Sequence, residues 1–113
     1  MSTTDTGRQA EAAVAEYLKK HGFKILEHNW RTRWCEIDVV AQKDDTVYFV
    51  EVKYRRSSRQ GDGLEYITPK KLNQMTFAAE LWVSNHNWQG EYCLAAAAVA
   101  GDNFQVMSFI IDL

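Results

Sequence analysis

Apolar residues recur at every third or fourth position from Ala10 to Leu18, and Gly22 follows as a natural stop. This spacing predicts an amphipathic first helix over residues 5–21. Glu11 lies at the edge of the apolar arc, so its side chain is expected at the rim of the core. A glutamate early in a helix also favours the positive end of the helix macrodipole, and taken alone the sequence favours that simpler role.

The pattern then changes to the period of two that is typical of strands. Three strands are predicted over residues 23–29, 34–42 and 47–54, the last two rich in β-branched and aromatic residues. Short connections make consecutive strands antiparallel. Asp44 and Asp45 separate the second and third strands, and we interpret them as the tip of a two-residue hairpin.

A second helix is predicted to begin at Pro69, with Thr68 as its N-cap, and to run to about residue 86. Lys70 and Lys71 fall in its first turn, where the macrodipole disfavours cations. Their position suggests an anion such as phosphate at that end, although solvated lysines are the simpler interpretation.

The remaining segments are a loop and a second pair of strands. Residues 55–66 have no period and contain two glycines, which predicts a mobile loop. Residues 91–100 and 104–111 are most simply strands, although 94–99 fits a helix equally well. The predicted fold is therefore α/β, a mixed sheet flanked by helices in the order α-β-β-β-α-β-β, in a single domain over residues 1–113.

Composition indicates an ordinary globular protein of 113 residues with a net charge of -2. No apolar run approaches the roughly 20 residues needed to cross a bilayer, and the N-terminus lacks a signal pattern, so a cytoplasmic protein without membrane contact is expected. Cys35 and Cys93 fit that compartment as free thiols. Positive charge is concentrated in residues 53–59, and no Lys or Arg follows Lys71.

The two acidic motifs on either side of the hairpin carry the candidate chemistry. Counting back from the tip places Lys43 opposite Thr46 and Asp38 opposite Glu51. By the same count Glu36 lies opposite Lys53, and all four polar groups of the two motifs share one face.

Directly opposed residues have Cβ atoms roughly 4.5 to 5.5 Å apart, and two carboxylates at that separation repel each other unless a cation lies between them. A metal ion between Asp38 and Glu51 would remove the conflict. A three-residue loop would shift the register by one and separate the two acids, so the inference depends on the length of the turn.

This constellation resembles the PD-(D/E)XK nuclease superfamily, with Asp38 as the lone acid and Glu51 and Lys53 as the second acid and the lysine. Within it, the chain is similar to the YraN family of small bacterial proteins, which are related to Holliday junction resolvases. The resemblance covers about residues 7 to 83. The residues that carry it are Gly7, Glu11, Asn29-Trp30-Arg31, Glu36-Ile37-Asp38, Phe49 to Lys53, Arg55, Thr68-Pro69 and Lys71. Ala10 and Cys35 stand where glycine is expected.

The resemblance implies a restriction-endonuclease-like core and a metal-dependent phosphodiesterase. Asp38 and Glu51, with the Val52 carbonyl, would hold one Mg²⁺ or Mn²⁺, and Glu11 would complete the site directly or through a water. Lys53, partly desolvated beside the metal, would orient or deprotonate the attacking water or stabilise developing charge. Glu36 is expected either to pair with Lys53 in the site or to form a salt bridge that is purely structural. The two roles are equally expected.

Nucleic acid is the expected partner, with DNA favoured. Phosphate contacts are expected from the cationic residues Arg31, Arg33, Arg55, Arg56, Arg59, Lys70 and Lys71. Trp30 and Trp34 have the chemistry to stack on bases, but in a strand-turn-strand segment core packing is favoured for both.

The function expected from these observations is a metal-dependent endonuclease selective for branched or single-stranded DNA, in recombination or repair. The alternative is a catalytically inactive module that binds nucleic acid or protein on a nuclease fold. A third hypothesis treats the acidic hairpin as charge pairing in an oligomer interface. Junction resolution needs two symmetric sites, which leaves a homodimer open.

Overall fold

The computed structural model describes residues 3–57 and 66–113. It confirms the predicted α/β class and element order. The elements are α1 Thr3–Lys20, β1 Lys24–Arg31, β2 Glu36–Lys43, β3 Thr46–Arg55, α2 Pro69–His86, β4 Glu91–Ala100 and β5 Gln105–Ile111.

The five strands form one mixed sheet in the order β1-β2-β3-β4-β5. All neighbours are antiparallel except β3 and β4, which are parallel and connected through α2. Residues 94–99 are therefore a strand, and their alanines are mostly buried between β3 and β5. The helical alternative fails because β3 and β5 supply hydrogen-bond partners along both edges of this segment.

The two helices pack on opposite faces of the sheet. Val39 and Val50 belong to the apolar cluster formed with α1, whereas their neighbours Val40 and Phe49 pack with Trp82 of α2. Because successive strand residues point to opposite faces, this distribution produces a three-layer arrangement with the sheet in the middle.

The turn between β2 and β3 has the predicted two-residue length, since Lys43 pairs with Thr46. Asp44 adopts a positive φ of 55°, as the first central residue of such hairpin turns does. The recorded pairing runs back from the turn to Val39 opposite Val50 and ends there. Asp38 and Glu51 lie immediately beyond this last backbone pair, so the predicted register holds up to the residues that precede them.

The start of α2 is also as predicted. The Thr68 side chain accepts a hydrogen bond from the Lys71 amide at 3.1 Å, and Pro69 is the first helical residue. This cap satisfies a backbone donor that the helix itself leaves unpaired, and it fixes the direction of the first turn. Lys70 and Lys71 are thereby placed at the end of α2 that lies nearest to Glu51.

The predicted loop over residues 55–66 is only partly described. Residues 58–65, and with them the candidate phosphate contact Arg59, lie outside the described residues. Cys35 and Cys93 are free thiols. None of the helices in the described part of the chain is long and apolar enough to span a bilayer.

Candidate functional site

Asp38 lies where the backbone pairing between β2 and β3 stops. Its Oδ2 atom accepts a hydrogen bond of 2.8 Å from the Val52 amide, so the carboxylate takes the place of a backbone acceptor. The amide and carbonyl of one strand residue point to the same side of the strand. The Val52 carbonyl is therefore directed toward the side on which Asp38 lies.

The regular alternation of faces breaks at the same point of β2. Ile37 and Val40 both pack in the cluster on the α2 side, whereas Val39 packs on the α1 side. Strict alternation would place Ile37 with Val39. The predicted regular alternation of β2 is therefore interrupted near Asp38, where the pairing of β2 with β3 ends.

The electrostatic conflict expected between Asp38 and Glu51 is present. Burial, and then the negative charge of Glu51, raise the pKa of Asp38 to about 7, although the hydrogen bond from the Val52 amide opposes the shift. A carboxyl group in this state is poised between its neutral and charged forms near neutral pH. A nearby cation would favour the charged form.

Glu51 already has such a cation as its partner. Its Oε2 atom lies 2.8 Å from Nζ of Lys71, and the Glu51 side chain is only 17% exposed. Burial would lower the pKa of Lys71, but the hydrogen bond to Glu51 and the negative charges of Glu51, Asp38 and Glu36 together outweigh burial, so the pKa is raised. The anion suggested by the lysines at the start of α2 is thus supplied, at least in part, by the chain itself.

Glu11 brings a third carboxyl group toward these acids from α1. Because α1 begins at Thr3, Glu11 lies more than two turns into the helix. At that distance from the N-terminus the macrodipole has little effect. Burial and the negative charges of Glu36 and Glu51 raise the pKa of Glu11. The positive charges of Arg31 and Arg8 oppose this shift but do not cancel it. Its position therefore favours a place in the acidic site over a role in stabilising the helix end.

Lys53 and Glu36 do not pair in the way that the hairpin count allowed. Lys53 is exposed, and its Nζ atom lies 6.0 Å from the ring centroid of Tyr66. Glu36 instead forms a salt bridge across β1 and β2, with Oε2 3.3 Å from Nε of Arg31. Lys53 is thus an exposed side chain near the end of β3, and its expected desolvation beside a metal stays a prediction.

The described cationic candidates surround the same end of the sheet as Asp38 and Glu51. This is the end where β1 and β3 finish and where β2 and α2 begin. The residues placed there are Arg31 and Arg33 in or after β1, Arg55 and Arg56 at the end of β3, and Lys70 and Lys71 in the first turn of α2. The acidic centre is therefore flanked by positive charge.

An open groove of about 750 Å³ runs beside this centre. Glu36, Glu51, Lys70 and Lys71 line it together with Trp34 and Phe77, which are 69% and 51% exposed. Trp30 packs against the α2-side cluster as expected, but the prediction that Trp34 is a core residue is wrong. Phe77 was not predicted as a site residue. Its only indication in the sequence is that it lies seven residues after Lys70, and so on the same face of α2.

The donor set suits a hard divalent cation. Within residues 3–57 and 66–113 no three His, Cys, Asp or Glu side chains are already grouped to hold a metal ion. Mg²⁺ usually keeps several waters and needs only one or two protein carboxylates. Asp38, Glu51 and the Val52 carbonyl are the groups that would hold such an ion, and Glu11 is close enough to feel the charge of Glu51.

Comparison with known proteins identifies relatives that cover nearly the whole chain. The model of the uncharacterised protein family UPF0102 matches residues 10–109, a span that includes Glu11, Asp38, Glu51 and Lys53. A UPF0102 protein of Chlorobium chlorochromatii is 39% identical over 106 residues, 94% of this chain and 80% of that protein. One from Cytophaga hutchinsonii is 34% identical over 94% of both chains, and one from Syntrophomonas wolfei is 46% identical over 72% of this chain and 70% of that protein. The chain belongs to the UPF0102 family.

Proposed function

We propose that this UPF0102 protein is a divalent-metal-dependent endonuclease that hydrolyses phosphodiester bonds of branched or single-stranded DNA in recombination or repair in the cytoplasm. The observation that carries the proposal is the Asp38 carboxyl, held by the Val52 amide at 2.8 Å beside a second acid, Glu51, with its pKa raised to about 7. Two close carboxyl groups, one of them buried, destabilise the folded protein when both are ionised. A bound cation would offset this destabilisation.

The resemblance to PD-(D/E)XK nucleases of the YraN family supports the same assignment. Asp38, Glu51 and Lys53 occupy the positions of that superfamily's motif, and they lie at one end of a mixed sheet between two helices. For a four-way junction the proposal further requires a homodimer, because two cuts need two sites related by symmetry.

The chain's own residues have distinct roles in the proposed reaction. A bound Mg²⁺ or Mn²⁺ would act as a Lewis acid that lowers the pKa of the attacking water and offsets charge on the phosphate. Asp38 and Glu51 would hold the ion, and the hydrogen bond from Val52 would keep Asp38 in place. Lys53, exposed beyond Glu51 on β3, is free to reach the scissile phosphate and stabilise its developing charge.

The ion pair between Glu51 and Lys71 favours a second candidate, a module that binds nucleic acid without cutting it. An ammonium group 2.8 Å from Glu51 already neutralises one of the two acids that the metal would need. In that case the cations around the groove would still bind phosphates, and binding would fall steeply with salt, but no metal would support cleavage.

A panel of DNA cleavage assays tests whether Asp38 and Glu51 are needed for activity. Wild-type protein is expected to cut branched or single-stranded DNA in Mg²⁺ or Mn²⁺ and not in EDTA. Asp38→Asn and Glu51→Gln should each lower the rate by at least about 100-fold, more than is typical for loss of a residue that only supports a ligand. Gel-based rates would be compared with those of Glu80→Gln, an exposed glutamate of α2. Equal cleavage by all variants would contradict the proposal, and absence of cleavage in every metal would favour the binding module.

The pKa of Asp38 predicts how stability depends on pH without metal. A carboxyl whose pKa is raised on folding, here to about 7, adds stability at low pH that is lost as the pH rises through that value. In EDTA, the wild-type free energy of unfolding should fall from about pH 4 to pH 8 by up to about 4 kcal/mol. Asp38→Asn should flatten this fall, whereas exposed Asp102→Asn should not.

Urea denaturation at several pH values measures this effect directly. Parallel pH profiles for wild type and Asp38→Asn would show that the Asp38 carboxyl is not held in a destabilised state. Addition of Mn²⁺ at pH 8 should then raise the melting temperature of the wild type and leave that of Asp38→Asn unchanged.

Lys71 competes with the metal for Glu51 and should therefore weaken metal binding. Lys71→Ala removes the competing ammonium group, so Mn²⁺ should raise the melting temperature of this variant more than that of the wild type. Lys70→Ala changes the neighbouring exposed lysine and should behave like the wild type. A reduced Mn²⁺ response in Lys71→Ala would mean that Lys71 supports the cation site rather than occupying part of it.

A further inference from the structure

We propose that the groove beside Glu51 and Lys71 binds an unpaired DNA base, which stacks on the rings of Trp34 and Phe77. This inference rests on the proposed function and names its substrate class, a single-stranded segment next to the scissile phosphate. The observations that carry it are two large exposed aromatic rings in one groove with an acid of the site and two lysines.

Trp34 is held outward by a well-ordered turn between β1 and β2. The Thr32 hydroxyl accepts hydrogen bonds from the amides of Trp34 and Cys35, at 3.1 and 3.2 Å. The Thr32 amide in turn donates to the Cys35 carbonyl at 2.9 Å. The turn therefore fixes the backbone that carries an indole ring 69% exposed to solvent, so binding has to order only the side chain of Trp34.

A cation also accompanies this ring. The guanidinium carbon of Arg33 lies 5.4 Å from the ring centroid of Trp34. This distance is within the range of a cation-π interaction, and the Trp34 side chain remains 69% exposed. Aromatic surface and positive charge are therefore adjacent, as single-stranded nucleic acid requires for its bases and its phosphates.

Phe77 presents the second ring from α2. It belongs to the solvent-facing stripe Lys70, Asn73, Gln74 and Phe77, which is otherwise polar and which lines the groove. The core of α2 is formed instead by Met75, Ala78, Ala79 and Trp82. Phe77 is thus not required for packing, and its ring is 51% exposed inside the groove.

The size and charge of the groove fit a nucleotide. Its volume of about 750 Å³ lies within the range of about 300–1,000 Å³ that is typical of ligand pockets. Lys70 offers positive charge for the phosphates, whereas Lys71 is paired with Glu51 and Glu36 is paired with Arg31. Glu51 connects the groove to the acidic centre. A base inside a duplex is stacked on its neighbours and does not expose a face, so the groove would select unpaired DNA.

The test uses binding of fluorescently labelled oligothymidine in Ca²⁺, measured by anisotropy, with the matched duplex beside it. Trp34→Ala and Phe77→Ala should each weaken single-strand binding by about 5- to 150-fold and leave duplex binding within twofold. Trp34→Phe should retain most of the affinity. Met107→Ala is the matched control, because Met107 is as exposed as Phe77 but lies on β5 outside the groove.

An oligonucleotide of the same length made of abasic sites separates stacking from a structural role. It should bind the wild type more weakly than thymidine binds Trp34→Ala, because that variant keeps Phe77, and it should bind the wild type and that variant equally. If loss of the bases weakens both proteins by the same factor, the rings do not contact bases and the proposal is overturned.

The outcome is distinguishable from failure of the proposed nuclease activity. Cleavage that depends on Glu51 but is unaffected by Trp34→Ala and Phe77→Ala would overturn the stacking site and keep the nuclease. Ring-dependent binding of single strands without cleavage in any metal would keep the stacking site and overturn the nuclease. No measurable binding to single-stranded DNA would overturn the stacking site.

Discussion

The hydrogen bond from the Val52 amide to the Asp38 carboxylate holds together the part of the sheet on which the site depends. Backbone pairing between β2 and β3 ends one residue earlier, so a charged side chain replaces the backbone carbonyl that would continue it. The same contact holds Asp38 in a buried position, where burial and the charge of Glu51 raise its pKa even though the hydrogen bond itself opposes the shift. A local requirement of the sheet thereby creates a place where a cation is favourable.

The fold gathers the other functional groups around this contact from separate elements. α1 contributes Glu11 from one face, while α2 begins at the opposite face and brings Lys71 to within 2.8 Å of Glu51. The parallel crossover explains this placement, because α2 starts at the end of the sheet where β3 finishes and returns the chain to the end where β3 and β4 both begin. Topology therefore determines that lysines and acids meet there.

Much of this arrangement could be predicted from the sequence because short-range rules govern it. The two aspartates at the hairpin tip fix the register that aligns Asp38 with Glu51, and the Thr68-Pro69 pair fixes the start of α2. The break in face alternation at Asp38, the exposure of Lys53 and the outward position of Trp34 could not be predicted. The break at Asp38 depends on a bond to Val52, and the position of Trp34 depends on the side chain of Thr32 in the turn. Hydrophobic periodicity reports neither kind of side-chain bond.

The central claim is that the repulsion between Asp38 and Glu51 is balanced by a divalent cation. Anomalous diffraction from a crystal of the wild-type protein grown with Mn²⁺ tests it most directly. The account predicts one strong peak in contact with both carboxylates and the Val52 carbonyl, with Lys71 displaced from Glu51. A map with no peak there, in which Lys71 still pairs with Glu51, would contradict the account.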